Sequence, residues 1–190
     1  MKKNFMIALW FPLVTTVMFG VLYPLAVTGL AQLLFPGRAN GQLIERNGKI
    51  VGSRIIGQSF TEPRYFHSRP SSAGAGYDPT SSSGSNLAPT NKLLIERVRN
   101  DVQKLQSENP NVPVPVDLVT ASGSGLDPDI SPAAAEFQIP RVAHARGMNE
   151  DDVRTLVRKH TKDRDLAFLG EPRVSVLELN LELDAVHALR

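Results

Sequence analysis

The residues that could carry chemistry in this chain are mostly not spaced for catalysis. The four histidines, at positions 67, 144, 160 and 187, lack close metal-ligand spacing and are interpreted as surface or capping residues. The chain has no cysteine, which excludes disulfides, thiol catalysis and cysteine-ligated metal centres. No serine lies in a G-x-S-x-G elbow, and the sequence has neither a G-x-x-x-x-G-K-S/T phosphate loop nor an Asp-Lys-Thr-Gly phosphorylation site. The sequence therefore predicts a protein that is not an enzyme and holds no metal.

One segment of small residues could bind an anion. It consists of Ser122, Gly123, Ser124 and Gly125. Successive small residues can direct backbone N–H groups toward a phosphate, so the segment is a candidate nucleotide-binding loop. A tight turn is the competing interpretation, because glycine permits the required backbone and an Asp-Pro pair follows. The residues alone favour the turn.

The charge balance excludes another class of function. The chain has 21 basic and 19 acidic residues, and Lys2 and Lys3 are the only charged residues before position 38. The remaining residues then carry 19 charges of each sign. A nucleic-acid-binding surface needs a basic excess to neutralise phosphates, so no nucleic acid is expected as a partner.

Residues 4–37 form an uncharged run of 34 residues, which predicts a membrane-spanning helix within residues 1–37. A span through the lipid bilayer needs about 20 apolar residues. A secretory signal peptide cleaved before Gln32 is the alternative, but this apolar stretch is about twice the usual length of roughly 7–15 residues. A retained anchor is therefore favoured.

Small, polar or compact residues recur at every fourth position of this run. The predicted packing seam consists of Thr16, Gly20, Pro24 and Thr28. Such a seam lets another helix approach closely, as in small-xxx-small packing. A lone anchor with scattered Thr and Gly remains the alternative.

The orientation follows from the flanking charges. Lys2 and Lys3 favour a cytoplasmic N-terminus, although Arg38, Arg46 and Lys49 on the other flank weaken that rule. A long C-terminal domain translocates largely regardless of its charge. The sequence therefore predicts a single-pass protein whose soluble domain, residues 38–190, is extracytoplasmic.

The soluble domain mixes helix and strand signals, which predicts an α+β fold. The predicted strands are a hairpin around Asn47-Gly48, Arg54–Phe60, and Pro172–Leu179 running into Asn180–Asp184. The predicted helices are Asn91–Asn109, a helix capped by Ser131 and ending at Gly147, and a helix from Asn149 to about His160.

A long irregular segment, residues 61–89, separates these elements. It is rich in Ser, Gly and Pro but also carries aromatic and charged residues that a flexible linker does not need. We interpret it as an ordered loop that docks on something. Its candidate contact residues are Tyr65, Phe66, Arg69, Tyr77 and Asn86.

Long motifs in the soluble part resemble one family along nearly the whole chain. They include Tyr65–Ser71, Ser83–Leu87, Asp117–Pro128, Ile130–Ala134, Leu169–Val174 and Leu177–Leu181. The sequence is thereby identified as a member of the C-subunit family of Kdp-type potassium-transporting ATPases.

The resemblance implies a non-catalytic subunit of a complex in the bacterial inner membrane. It implies three partners: a channel-like potassium-binding subunit, a P-type ATP-hydrolysing subunit and a small membrane peptide. It also implies a catalytic chaperone that raises the ATP affinity of the hydrolysing subunit, with residues 120–127 likened to an ABC-transporter signature loop. ATP is cytoplasmic, however, and an extracytoplasmic domain cannot touch it.

Three functions remain open at this stage. The first, which we favour, is an assembly and regulatory subunit of a potassium pump that acts as the catalytic chaperone described above; its alternative is a membrane-anchored extracytoplasmic domain that covers the potassium entrance without contacting ATP. The second is a protein that contacts ATP within that pump. The third, without the resemblance, is an anchored extracytoplasmic binding module.

Overall fold

The computed structural model describes residues 2–186 and forms two compact units, Met1–Ser53 and Arg54–Arg190. The division falls after the hairpin that follows the apolar helix, so this hairpin belongs to the first unit. The predicted boundary between residues 37 and 38 lies inside that unit. Each unit is described below by itself.

The first unit is dominated by one continuous helix, Lys2–Leu34. It consists of α1 (Lys2–Val17), a π-helical turn (Met18–Leu22) and α2 (Tyr23–Leu34). The π turn lies just before Pro24, where the N–H of Tyr23 donates to the carbonyl of Met18. A wider turn suits this place because proline offers no N–H to continue the ordinary α ladder.

A short helix and a hairpin complete the first unit. The elements are α3 (Pro36–Ala39), β1 (Leu43–Arg46) and β2 (Lys49–Ser53). The two strands pair antiparallel with an irregular register between Ile44 and Glu45. Asn47 and Gly48 both have positive φ, as a two-residue hairpin turn requires. The predicted hairpin is confirmed.

The second unit contains four α-helices, a 3-10 helical turn (Val116–Leu118) and a small sheet among its described residues. The elements are α4 (Lys92–Glu108), β3 (Asp129–Ile130), α5 (Pro132–Arg146), α6 (Glu150–Lys159), β4 (Thr161–Lys162), β5 (Arg173–Ser175) and α7 (Val176–Val186). The sheet has the antiparallel order β3-β5-β4. Asn91, Ser131 and Asn149 each cap the helix that follows with a side-chain oxygen. The α+β prediction is confirmed.

The core of the second unit lies between its sheet and helices α5, α6 and α7. Its members are Phe66, Leu118, Ile130, Ala134, Ala135, Phe137, Ile139, Val142, Ala143, Val153, Val157, Val174, Val176, Leu179 and Leu183. Phe66 enters this core from the irregular segment 61–89, which is thereby fixed to the helices.

One predicted strand is wrong and another is too long. Arg54–Phe60 forms turns and irregular backbone, because its polar groups bond to loops: the Gly57 N–H donates to the Gly125 carbonyl at 2.8 Å. The strand predicted from Pro172 stops at Ser175, and helix α7 follows. Residues 176, 179, 180 and 183 are all buried, with the i, i+3, i+4, i+7 spacing of one helical face.

Candidate functional site

Two buried side-chain amides hold the segment 61–89 in place. The side chain of Asn180 on α7 accepts from the Phe66 N–H and donates to the Phe66 carbonyl, both at 2.9 Å. Gln138 on α5 does the same for His67, at 2.8 Å and 3.2 Å. Both amides are only 2% exposed. They replace the strand partner that this irregular backbone lacks, since buried N–H and C=O groups need hydrogen bonds.

Phe66 is an anchor of its own domain. Its side chain is fully buried in the core. The prediction that Phe66 contacts a partner is therefore corrected, because a side chain without accessible surface offers nothing to dock on. The aromatic residue in this loop indicates a packing contact. The sequence does not show whether that contact is made within the chain or with a partner.

Tyr65 lies at the edge of this core among charged residues. Its hydroxyl donates to Asp184 at 3.1 Å, and the guanidinium of Arg146 lies 5.0 Å from its ring centroid. Burial, followed by the Asp184 contact, raises the pKa of Tyr65. Arg146 also donates to the Arg64 carbonyl at 2.7 Å and pairs with Asp184 at 2.9 Å. The aromatic ring thus joins the loop to α5 and α7.

A second arginine secures the start of the loop. Arg141 donates to the carbonyls of Pro63 at 2.6 Å and Tyr65 at 3.0 Å, and pairs with Glu108 of α4 at 3.0 Å. Its guanidinium lies 3.5 Å from the His67 ring nitrogen. Burial, followed by this neighbouring charge, lowers the pKa of His67. His67 is therefore part of the loop's support.

The candidate nucleotide-binding loop packs backbone to backbone against the segment 61–89. The Ser122 N–H donates to the Pro70 carbonyl at 2.8 Å, and the Ser72 N–H donates to the Ser122 carbonyl at 2.7 Å. Local side chains occupy two further amides, since Ser124 N–H donates to Ser122 Oγ and Leu126 N–H donates to Ser124 Oγ. Two amides of residues 122–125 and the amide of Leu126 are therefore engaged within the protein.

Close packing accounts for the glycines of this segment. A Cβ at Gly125 would lie 2.4 Å from the backbone nitrogen of Pro79, and one at Gly123 would lie 3.2 Å from Gly84. The first approach admits no side chain at all. This geometry supports the turn interpretation, while nucleotide binding by residues 122–125 stays a prediction.

The other predicted contact residues of the loop divide by their surroundings. Tyr77, at positive φ, donates its hydroxyl to the Arg69 carbonyl at 2.8 Å. Burial, followed by the charge of Asp127, raises the pKa of Tyr77. Arg69 pairs with Asp127 at 3.1 Å and donates to the Thr120 carbonyl at 3.3 Å. Asn86, also at positive φ, is exposed.

Acidic side chains in the neighbouring loops have local partners. Asp78 accepts from the N–H and hydroxyl of Thr80, which lowers the pKa of Asp78. Asp129 pairs with Arg173 at 3.4 Å, and its burial raises its pKa. Within residues 2–186, no group of three or more His, Asp or Glu side chains is arranged to hold a metal. His187 lies outside the described residues.

The predicted seam lies along an exposed helix. Residue 20 lies inside the π turn, and residues 16, 24 and 28 lie on either side of it. In an α-helix with about 3.6 residues per turn, four residues make slightly more than one full turn, so residues at this spacing drift around the helix. In the wider π turn, four residues make slightly less than one full turn, which offsets that drift. A Cβ at Gly20 would meet only Thr16, at 3.8 Å, so nothing among the described residues 2–186 requires glycine there.

The residues that hold the loop were not among the predicted site residues: Gln138, Asn180, Arg141 and Arg146. A signal for the two amides was present. Gln138 lies between Phe137 and Ile139, and Asn180 lies between two leucines. A polar residue on an apolar helical face is buried with a partner, although only the folded chain shows which partner.

Comparisons with known proteins give the family. The family profile described as "KdpC: K+-transporting ATPase, c chain" matches residues 5–185. Three relatives carry the name potassium-transporting ATPase KdpC subunit. The protein from Koribacter versatilis is 57% identical over 189 residues, covering 100% of this chain and 98% of the relative. That from Rhodopseudomonas palustris strain BisB18 is 54% identical, covering 97% and 99%. That from Caulobacter vibrioides strain NA1000 is 58% identical, covering 90% and 87%. With a family match over almost its whole length and relatives this similar, the chain belongs to the KdpC family of potassium-transporting ATPase subunits.

Proposed function

We propose that this chain is a non-catalytic assembly and regulatory subunit of an ATP-driven potassium uptake complex. The observation that carries the proposal is the family match over residues 5–185, which includes both the apolar helix and the soluble unit. A helix without one buried residue has to pack on lipid or on other proteins. The partners of the chain in this complex are a channel-like potassium-binding subunit, a P-type ATP-hydrolysing subunit and a small membrane peptide.

The chain crosses the bacterial inner membrane once. Within residues 2–186 one helix is long and apolar enough to span a bilayer, and Lys2 and Lys3 precede its apolar part. These charges favour a cytoplasmic N-terminus and an extracytoplasmic soluble unit. On that side of the membrane the domain lies where potassium enters.

In this arrangement the subunit raises the ATP affinity of its hydrolysing partner without touching ATP. The backbone of residues 122–126 supports this alternative, because the N–H groups of Ser122, Ser124 and Leu126 bond to the Pro70 carbonyl and to neighbouring serine hydroxyls. An effect on ATP affinity would then pass through the shared membrane complex. Such coupling needs the subunit to contact its partners differently in two states.

Two experiments test these proposals. Affinity purification of the tagged chain from its native membrane should recover a large polytopic partner in fixed ratio. Recovery of the chain alone would contradict the assembly role and favour a free-standing binding module.

Thiol labelling tests the topology. Because the chain has no cysteine, Ser124→Cys introduces a single site, and Lys3→Cys is the matched control on the opposite side. In sealed cells an impermeant maleimide should modify position 124 and leave position 3 unmodified. Modification of position 3 alone would place residues 122–125 in the cytoplasm and restore direct ATP contact as the explanation.

A further inference from the structure

A cleft opens between helix α4 and the segment 61–89 of the second unit. Its volume is about 250 Å³. A cavity of roughly 150 Å³ holds benzene, and drug-sized sites have roughly 300–1,000 Å³, so this space suits one small organic molecule. The space exists because α4 buries none of its own residues. Among the described residues of this helix, Leu105 is the one that packs against the core.

Part of the cleft is apolar. This apolar wall consists of Phe60, Pro70, Leu105 and Leu118. The wall is fixed in place, because Phe60 packs against the core and its ring centroid lies 5.6 Å from that of Tyr65. Apolar walls bury most of a small ligand, and a few polar groups set its orientation and its class. The chemistry of the ligand therefore depends on the polar groups of the cleft.

The charged groups of the cleft leave one cation without an acid. Asp101 pairs with Arg97 at 3.1 Å. Glu108 pairs with Arg141 at 3.0 Å. Lys104 lies one helical turn from each of these acids and also lines the cleft, but it has no ion pair within residues 2–186. Two acids and three bases leave one positive charge, which favours an anion over a cation.

The other polar groups of the cleft are already bonded within the chain. Ser68 and Tyr77 donate their hydroxyls to backbone carbonyls, at 3.0 Å and 2.8 Å. The Gln138 amide is held by the His67 backbone. The His67 ring donates from Nε2 to the Glu62 carbonyl at 3.1 Å, since a carbonyl only accepts. Among the described lining groups, this leaves the Lys104 ammonium to meet a charged ligand.

We propose that this cleft binds a small organic anion, whose charged group contacts the Lys104 ammonium and whose apolar part lies on the apolar wall. A monocarboxylate matches the single uncompensated cation. Such a ligand would join α4 to the segment 61–89, because Lys104 and Leu105 lie on one side of the cleft and Pro70 lies on the other. The site does not include residues 122–125, and it does not depend on the function proposed above.

Sodium benzoate is the probe, because it carries one carboxylate on an apolar ring. Binding is followed in the full chain in detergent, at constant ionic strength, through the NMR signals of ring-labelled histidine. The His67→Gln variant assigns the His67 signal. Benzoate should shift this signal with a Kd of about 1–10 mM, the range for a ligand of this size. Neutral benzamide and cationic benzylamine should each bind at least several-fold more weakly.

A pair of lysine substitutions tests the charged contact. Lys104→Gln should weaken benzoate binding by about threefold to tenfold, as loss of a charge-assisted contact does. Lys92→Gln is the matched control, because it removes the same charge from the same helix about 18 Å away. Both lysines are exposed, so both variants should fold, and their urea midpoints without benzoate check this.

The pH dependence gives a second readout. Burial and then the charges of Arg141 and Lys104 lower the pKa of His67, whereas the charge of Glu108 and the hydrogen bond to the Glu62 carbonyl raise it. A bound carboxylate opposes the two cations, so benzoate should raise the pKa of His67. By linkage, benzoate should bind more tightly as the pH falls from about 7.5 to 5.5, where the carboxylate itself stays ionised.

Four results would overturn the proposal. Equal affinity for benzamide would make the cleft an apolar site, and tighter binding of benzylamine would mean that Asp101 and Glu108 set its charge. Unchanged affinity in Lys104→Gln, or an equal loss in Lys92→Gln, would remove the specific contact. A His67 signal that does not move up to about 50 mM benzoate would exclude this class of ligand. The assembly role would survive each result, because it depends on co-purification with a partner.

Discussion

The two units of this chain differ in whether they bury their own apolar side chains. Every buried apolar side chain of the described chain lies in the second unit, from Phe66 onward. The helix of the first unit buries none. The second unit thus makes its own interior, whereas the first depends on what surrounds it. A change in the second unit should therefore alter folding, and a change in the first should alter assembly.

The largest expected effect tests the self-sufficiency of the second unit. Asn180→Leu keeps the branched shape of the side chain but leaves the N–H and carbonyl of Phe66 without partners in the interior. Each buried unsatisfied group costs about 1–3 kcal/mol, so the loss of two should lower the free energy of unfolding by about 2–6 kcal/mol. Urea unfolding of the full chain in detergent measures this loss.

Asn149→Ala is the matched control. Asn149 is an exposed cap whose side chain accepts from the Asp151 N–H at 2.8 Å. Its loss should cost about 1 kcal/mol. Equal effects of the two substitutions would mean that the Asn180 amide does not carry the loop.

The next effect concerns the segment that sequence analysis offered for nucleotide binding. Gly125→Ala forces a methyl group against the backbone of Pro79 and should destabilise the second unit by about 1–3 kcal/mol. Gly84→Ala is the control, because a Cβ there meets nothing closer than 3.9 Å. A Gly125→Ala variant that kept its unfolding midpoint but lost ATP-dependent activity in the complex would favour the nucleotide interpretation.

The matching experiment in the first unit should separate assembly from folding. Gly20→Leu places a large side chain on the predicted seam, which should weaken association with a partner helix by about 1–3 kcal/mol. The unfolding of the second unit should stay within about 0.5 kcal/mol of the wild type. Unchanged recovery of the complex in detergent would remove the seam.

The elements with local signals could be predicted from the sequence. The hairpin has Asn47-Gly48 at its turn, and Asn91, Ser131 and Asn149 cap the three helices that follow them. Such signals are readable because turn and cap chemistry depends on a few adjacent residues. The sequence predicts a strand at helix α7 because Leu and Glu alternate there, which is the pattern of a half-buried strand. The same residues also fit the helical face that packs on the core.

The support of the loop could not be predicted in the same way. Gln138 and Asn180 contact backbone that lies 71 and 114 residues away in sequence. No local pattern encodes such distant partners, although burial of a polar residue on an apolar face requires that one exists. The sequence therefore indicates that the loop is ordered. It does not show that Phe66 packs in the core of its own domain and not on a partner.

The dependence on pH offers a finer test of the second unit. Burial and the charge of Arg141 hold the pKa of His67 below its ordinary value of 6.5, so the unfolded chain binds a proton that the folded chain resists. The contribution of His67 to stability should therefore fall as the pH drops through that region, and the penalty should be absent at higher pH. The charge of Lys104 also lowers the pKa of His67, whereas the charge of Glu108 and the hydrogen bond to the Glu62 carbonyl raise it.

His67→Gln should flatten the dependence of the urea midpoint between about pH 7 and pH 5, since glutamine does not titrate. His144→Gln, at an exposed position of α5, is the matched control. An equally steep dependence in the His67 variant would assign the effect to other groups.

The smallest expected effect lies in the turn between β4 and β5. Leu166 and Ala167 both have positive φ, although neither is a residue that favours it, and the Asp165 and Leu169 backbones exchange two hydrogen bonds at 2.9 Å around them. Leu166→Asn with Ala167→Gly gives this turn its preferred residues. Because Leu166 is 77% exposed, no core contact is lost. Relief of strain should therefore raise the free energy of unfolding by about 0.4–1 kcal/mol. Leu166→Ala, which keeps the strain, should leave it unchanged. A gain from both variants would show that the exposed leucine, rather than the backbone, limits stability, and the second unit would then share the first unit's dependence on its surroundings.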